Sequence, residues 1–378
     1  MLQYSNFDSV SKDHFKNGTS FKSMMRFIAV VMSFSVASTS CEKDEDKNKA
    51  DGIITMKTSL SGKVSIRMSG SGTAAINWGD GTENETHILE PYKGLGFENE
   101  REYSHTYYSQ SARTITIIGK NITHLRCWSK LTELDVSKNT ALIILDCDFN
   151  QLTKLDVSKN TALTKLSCGT NRLTELDVSK NILLTELWCC DNQLTKLDVS
   201  KNSALKKIGC WLNQLTELDV SGNTALTYLS FGYNQLTEFD VSKNIALTYL
   251  DCSYNQLTEI NVSKNTALTN LYCEDIQLTE LDVSKNIMLT ILWCGFNQLT
   301  ELDVSENVVL RRLSCGSNLL TTDALNALFS TLHDNIFTYG WGGWGIEKEI
   351  SIGSNPGTDN CDPSIAEDKG WTVDKVFS

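Results

Sequence analysis

Two side-chain types recur along this chain at a spacing that invites chemistry. Cys147, Cys168, Cys189 and Cys210, then Cys252, Cys273, Cys294 and Cys315, recur with a period of 21 residues. Thiols so arranged could hold a metal or pair as disulfides. Coils stacked ~4.8 Å apart carry parallel side chains, so their Cβ atoms stay nearly that far apart, whereas a disulfide wants about 3.5–4.5 Å. Phe231 takes the same slot once. The slot therefore asks for an apolar body, and these thiols read as small buried hydrophobes. Cys190 and Cys361 fall off the row and are the thiols expected to react. The second row is acidic: Asp135, Asp156, Asp177, Asp198, Asp219, Asp240, Asp282 and Asp303. Carboxylates would suit calcium. A solvated face with strand-end hydrogen bonds needs no ion, and Lys138, Lys159, Lys180, Lys201, Lys243, Lys264 and Lys285, three residues on, offset its repulsion. Asp80 and His105 could share a metal; the expectation is a turn aspartate and a strand-end histidine that help close a β-sandwich. The five histidines form no cluster. No Ser–His–Asp order, phosphate-binding loop, dinucleotide fingerprint or Cys-x-x-Cys zinc spacing is readable. No catalytic residue, metal or cofactor is expected.

Repetition positions these rows. From Leu131 to Leu319 the chain runs through nine units of 21 residues, L-T-x-L-D-V-S-x-N-x-x-L-x-x-L-x-C-x-x-N-Q, after a half unit at Ile122–Cys127. In L-x-x-L-x-C the second Leu and the Cys stand two apart and face one side of a short strand. The L-T-x-L-D-V-S half is expected to form a second strand set. About six inward residues per unit stabilise by ~1.5–3 kcal/mol each when buried, against ~1.5 kcal/mol for ordering each residue. One unit alone fails, so neighbours must stack and bury both faces of each coil. Two asparagine rows end the strand sets, one running from Asn150 to Asn318 and one from Asn139 to Asn307, where an amide can satisfy backbone groups at a bend. Ile276 interrupts the first row, which predicts a loosened turn there.

The flanks differ. Residues 53–119 alternate as β-strands, for example Val64–Met68, Ala75–Trp78 and Thr114–Ile118. After Thr321, Leu325, Leu328, Phe329 and Leu332 carry helical spacing, an amphipathic helix over the last coil. Asp362-Pro363 reads as the start of a second helix that Gly370 stops. The aromatic loop Tyr339–Trp344 between them is either packing for this cap or a second contact site. At the other end, Lys22 and Arg26 precede the apolar run Phe27–Ala37 and then Ser38-Thr39-Ser40-Cys41, the pattern of a secretory signal peptide.

The second half of the unit resembles the leucine-rich-repeat signature, and the whole is similar to the nested 21-residue class of bacterial leucine-rich repeats, internalin-like surface proteins included. Trp78-Gly79-Asp80-Gly81-Thr82 and Tyr103-Ser104-His105-Thr106-Tyr107 resemble the paired signatures of PKD-type immunoglobulin-like sandwiches. Small residues ending in Cys41 resemble a bacterial lipobox, although Ser38 stands where that family usually has Leu, and Glu42–Asp46 resembles an acidic surface-export signal. The likeness implies a mainly β chain: signal peptide 1–40, acidic lipoprotein linker 41–52, PKD-like sandwich 53–119, leucine-rich-repeat solenoid 120–319 and a small α/β cap 320–378. It implies lipidation of Cys41 and a place on the outer membrane, with the N-terminal lipid as the only membrane attachment.

Comparison of the units with one another locates a binding face. Most positions are nearly fixed, as a scaffold requires. Variation gathers at the outward positions around L-x-x-L-x-C-x-x-N, which hold Trp128, Trp188, Trp211, Tyr228, Tyr249, Tyr272 and Trp293, with Phe149, Tyr233, Tyr254 and Phe296 beside the turn. Asp146, Asp148, Asp191, Asp251, Glu274 and Asp275 tint the same surface acidic. Rings on a rigid surface are anchored at little entropy cost and suit recognition. The alternative is that they only stack along the sheet, but the other half of the unit carries none at its outward positions. A net charge of −12 repels nucleic acid. The expectation is a non-enzymatic surface protein that binds a host or environmental protein or glycan, for adhesion or capture. A structural envelope protein without a ligand is the other reading.

Overall fold

Alternating side chains in residues 53–127 produce two sheets facing one another. The computed structural model describes residues 52–94, 100–336 and 348–376; the leader, Cys41, Glu42–Asp46 and the Tyr339–Trp344 loop lie outside the described residues. The strands are β1 (Ile53–Thr58), β2 (Gly62–Ser71), β3 (Thr73–Asn77), β4 (Glu85–Ile88), β5 (Arg101–Tyr107), β6 (Arg113–Ile118) and β7 (Asn121–Cys127). One sheet runs β4-β3-β6-β1 and the other begins β5-β2-β7. Ile54, Met56, Ile76, Trp78, Ile115 and Ile117 from the first meet Val64, Ile66, Met68, Tyr103 and Leu125 from the second in one core.

Both sheets continue into the repeats without a linker. Strand β8 (Glu133–Asp135) pairs antiparallel with β1, and β9 (Ile144–Asp146) pairs parallel with β7. Three-residue strands then follow one per coil: β10 (Lys165–Ser167), β11 (Glu186–Trp188), β12 (Lys207–Gly209), β13 (Tyr228–Ser230), β14 (Tyr249–Asp251), β15 (Asn270–Tyr272), β16 (Ile291–Trp293) and β17 (Arg312–Ser314). All are parallel and in register, so Leu145, Leu166, Leu187, Ile208 and their successors align across the sheet. Within one coil Leu152, Leu155, Val157, Leu163, Leu166 and Cys168 are all buried. The inward set is the one the spacing predicts, and the result is a β-solenoid.

The expected second strand set is absent beyond β8. After it, each L-T-x-L-D-V-S segment is non-strand. Its aspartate instead accepts the amide N–H of the serine two residues on, as in Ser158 to Asp156 at 2.8 Å and Ser200 to Asp198 at 2.9 Å. That local side-chain bond turns the backbone and competes with a ladder; β8 is a strand because β1 lies beside it.

The two asparagine rows bind coil to coil. Asn192 Nδ2 donates to the carbonyl of Cys168 in the coil before (3.0 Å) and to Cys189 in its own (3.2 Å), while its Oδ1 accepts from the Leu173 amide at 2.9 Å. Asn181, fully buried, donates to Val157 and Asn160 carbonyls at 3.0 and 2.9 Å. At Ile276 the turn is reshaped rather than loosened. Ile276 is fully buried, Asn297 Oδ1 takes both the Ile276 and Leu278 amides, and Gln277 joins Asp275 in the left-handed region.

The C-terminal end adds coils that the 21-residue period hides. Helix α1 (Thr322–Thr331) is capped by the Thr321 hydroxyl and buries Leu325, Leu328 and Phe329. Strand β18 (Lys348–Ser351), the short helix α2 (Ser364–Glu367) and strand β19 (Trp371–Asp374) follow, and β18 and β19 extend the parallel sheet beyond β17. The helix after Pro363 is shorter than expected: its four residues end before Gly370, which takes a φ of +78°. Asn355 prolongs the asparagine row by donating to Cys315 and Ile352 carbonyls. Lys369 Nζ closes the end of α1 through the Ser330 and Leu332 carbonyls, at 2.6 and 2.7 Å.

Candidate functional site

Alternation along x-L-x-C turns the two residues flanking each buried Leu, and the residue after each Cys, to the outer face of the parallel sheet. Six of the seven aromatic candidates meet there. Trp188 lies edge-on to Trp211, with centroids 6.2 Å apart at 75°, and 5.3 Å from Tyr228. Tyr228 stacks on Tyr249 at 4.3 Å and 12°. Tyr249 lies 5.2 Å from Tyr272, which meets Trp293 edge-on at 5.1 Å. The result is an unbroken belt across β11 to β16 whose rings are half-buried by one another, with Trp293 38% exposed at its end. Trp128 is held elsewhere: its indole N–H donates to Asp146 at 2.7 Å, and the ring is 44% exposed.

Gly209, which residue-type reasoning passed over, shapes the belt. A Cβ there would lie 2.5 Å from both Trp188 and Trp211, so the bare backbone is the floor on which the two indoles rest. Its signal in the sequence is the one glycine at the outward position between those tryptophans. Beside the belt, one residue per coil holds a left-handed backbone without being glycine: Phe149, Thr170, Asp191, Leu212, Tyr233, Tyr254, Asp275 and Phe296 all have φ between 50° and 56°. This column carries the four turn-side rings, and Tyr233 stacks on Tyr254 at 4.1 Å.

The acids of this face fall into two kinds. Some are neutralised. Asp146 is buried and pairs with Arg126 at 3.0 Å, which also holds Glu100 at 2.7 Å, and Glu186 lies 3.1 Å from Lys165 and 3.4 Å from Lys207. Others are not. Burial and then Asp251 push the Glu274 carboxyl up to about 7. Burial holds Asp251 above the usual carboxylate range, although Ser230 Oγ donates to it at 2.9 Å. Asp148 is pushed up to about 7 by burial and by Asp146, against a Gly169 N–H donating at 2.6 Å. Burial also raises the phenols, Tyr228 to about 12.

The other chemical candidates resolve into structure. The row thiols, with Cys127 added at the first coil, are free, buried and raised by burial. Phe231 fills its slot against Phe239 at 4.2 Å. Neither off-row cysteine is placed to react, contrary to expectation. Cys361 is buried with its thiol donating to the Thr358 carbonyl, and burial with Asp148 and Asp191 pushes Cys190 up to about 12. A thiol must be a thiolate to react, which the surroundings of Cys190 oppose, and Cys361 is closed off from solvent. The aspartate row is committed to serine amides, which hold Asp156, Asp177 and Asp240 below the usual range. Asp80 accepts from Thr82 and bonds His105 at 2.7 Å, and His105 stacks on Trp78. Among the described residues no group of three His, Cys, Asp or Glu could hold a metal.

No protein-family model matches this chain, and a search of curated proteins finds no match. Solved structures do resemble it. A leucine-rich-repeat protein of Leptospira interrogans aligns at 24% identity over 63% of this chain and 62% of its own, with a TM-score of 0.53. The functional domain of InlJ from Listeria monocytogenes, described as including a cysteine ladder, shares 28% identity over 65% of this chain and 77% of its own, at a TM-score of 0.33. An internalin from Listeria monocytogenes, InlF, shares 23% over 62% and 74%, at 0.48. The chain spans about three fifths of the Leptospira protein. That likeness shows the fold, a leucine-rich-repeat solenoid.

Proposed function

We propose that this chain is a non-enzymatic binding protein whose solenoid presents the belt from Trp188 to Trp293 to a macromolecular partner, for adhesion or capture. One observation carries this reading. Six rings join across the outer face of a scaffold that barely changes from coil to coil, while the L-T-x-L-D-V-S flank carries none at its outward positions. Large flat side chains fixed on a rigid sheet lose little entropy on binding. A protein is the preferred partner, because belt and acids extend over several coils; a glycan stacking on the same rings is the other ligand class. Placement at the outer membrane through a lipid on Cys41, with residues 53–119 as a PKD-like spacer, completes the reading. It rests on the leader pattern and the strand alternation, and a Cys41 that takes up no labelled palmitate would remove the anchor.

The stacking of Tyr228 on Tyr249 at 4.3 Å favours a second reading, in which the belt only stiffens the sheet. The two part company in one experiment. The chain and its Tyr249→Ala/Trp293→Ala variant are screened against protein and glycan arrays, with melting temperature recorded. Binding predicts hits that disappear in the variant with little change in melting. Stiffening predicts a clear drop in melting temperature and no hit that depends on the rings.

A further inference from the structure

The acids of the outer face differ in how the fold treats them, and the difference points to a ligand. Asp146 is matched by Arg126, and Glu186 by Lys165 and Lys207. At the centre of the belt the matching stops. Asp251 lies across from Tyr272 in the sheet register and two residues beyond Tyr249, on the same face of the strand, and Glu274 follows in the next coil. No described residue forms an ion pair with either carboxylate. What faces them is Ser230, Ser253, Tyr228, Tyr249, Tyr272 and the turn ring Tyr254, with the charge of Arg312 acting on Tyr272 from farther along the sheet. Two partly desolvated carboxylates, repelling one another among phenol rings, are a costly arrangement for an empty surface.

We infer that the partner docks through a basic polypeptide segment, with an arginine or lysine side chain set against Asp251 and Glu274 and across the Tyr249 and Tyr272 rings. This rests on the binding reading above and specifies its partner. Guanidinium and ammonium groups are the ligands that both features reward. The carboxylates supply charge in a low-dielectric setting, and the rings supply cation–π attraction and cover for the methylene stem. Arginine is favoured because its planar, weakly hydrated head loses less on leaving water. The net charge of −12 steers such a segment in. A neutral sugar would leave both charges uncompensated.

The test uses the full chain and three fluorescent nonapeptides, of arginine, lysine and glutamate, titrated at pH 8 by anisotropy. Arginine should bind tightest, lysine next and glutamate not at all. Asp251→Asn/Glu274→Gln should weaken arginine binding by about ten-fold or more, the loss expected on removing one side of a close charge pair. Glu238→Gln/Glu259→Gln makes the same charge change on the exposed L-T-x-L flank and should alter binding less than two-fold. Equal losses in the two variants would reduce the effect to overall charge and overturn the inference. So would calcium displacing the peptide and binding alone in calorimetry. Should the peptides fail while an array ligand still requires Tyr249 and Trp293, only the basic partner falls; should nothing depend on those rings, the binding reading falls with it.

Discussion

Burial and hydrogen bonding pull the carboxylates of this chain in opposite directions. The turn aspartates, such as Asp156 and Asp177, are held low by serine donors, so their contribution to stability is present above the unfolded pKa and is lost as pH falls. Asp148 and Glu274, raised to about 7, do the reverse. Their contribution is fullest below the unfolded value and is lost as pH rises through about 7. Asp148 faces Asp146, which repels it, and Lys165 and Arg126, which attract it. Asp148→Asn keeps an oxygen for the Gly169 amide and removes the charge. It should raise the melting temperature by a few degrees at pH 8 and hardly at all at pH 4, as followed by circular dichroism. A gain of equal size at both pH values would refute the upward shift of the Asp148 carboxyl.

At the scale of the single coil, one substitution is answered by another. Phe231 replaces the row cysteine and Phe239 replaces the inward Leu of the following L-T-x-L, and the two rings meet at 4.2 Å. Phe231→Cys should open a cavity costing about 2–4 kcal/mol. In Phe231→Cys/Phe239→Leu the loss should fall short of the sum of the single losses by about 1 kcal/mol, the coupling typical of touching aromatic side chains. Strict additivity in urea unfolding would deny the pairing. The strands themselves were legible, because L-x-C imposes a two-residue period that only one backbone satisfies. The L-D-V-S half was not, since Leu and Val two apart fit a strand or a turn equally, and the aspartate-to-serine bond decides. Strands β18 and β19 were masked by an interruption of the period, although Ile350, Ile352 and Asn355 repeat the Leu, Cys and Asn spacing. For the site, alternation located the outward rings. Which of them touch depends on neighbouring coils and on Gly209, a glycine that residue-type reasoning ignores.

For the whole molecule, the junction between the first strands and the repeats is structural and continuous. Strand β7 belongs to both, and Arg126 on it binds Glu100 on one side and Asp146 of the first coil on the other, with all three side chains at most 5% exposed. Breaking such a triad strands buried charge. Arg126→Met should cost about 3–5 kcal/mol, read as a lower melting temperature in calorimetry, and in the parent chain the strands before the repeats and the coils should melt in one transition. Two separate transitions in the parent would show that the strands before the repeats and the coils do not stabilise each other.

The column of left-handed residues beside the belt has a further consequence. A positive φ costs an L-residue roughly 1–2 kcal/mol that glycine would avoid, yet the column runs Phe149, Thr170, Asp191, Leu212, Tyr233, Tyr254, Asp275 and Phe296. Coil after coil, that cost accompanies a varied side chain on the rim, and where Tyr233 stacks on Tyr254 the contact offsets part of it. An engineer who wrote glycine into every such place would relieve the backbone and leave the rim blank.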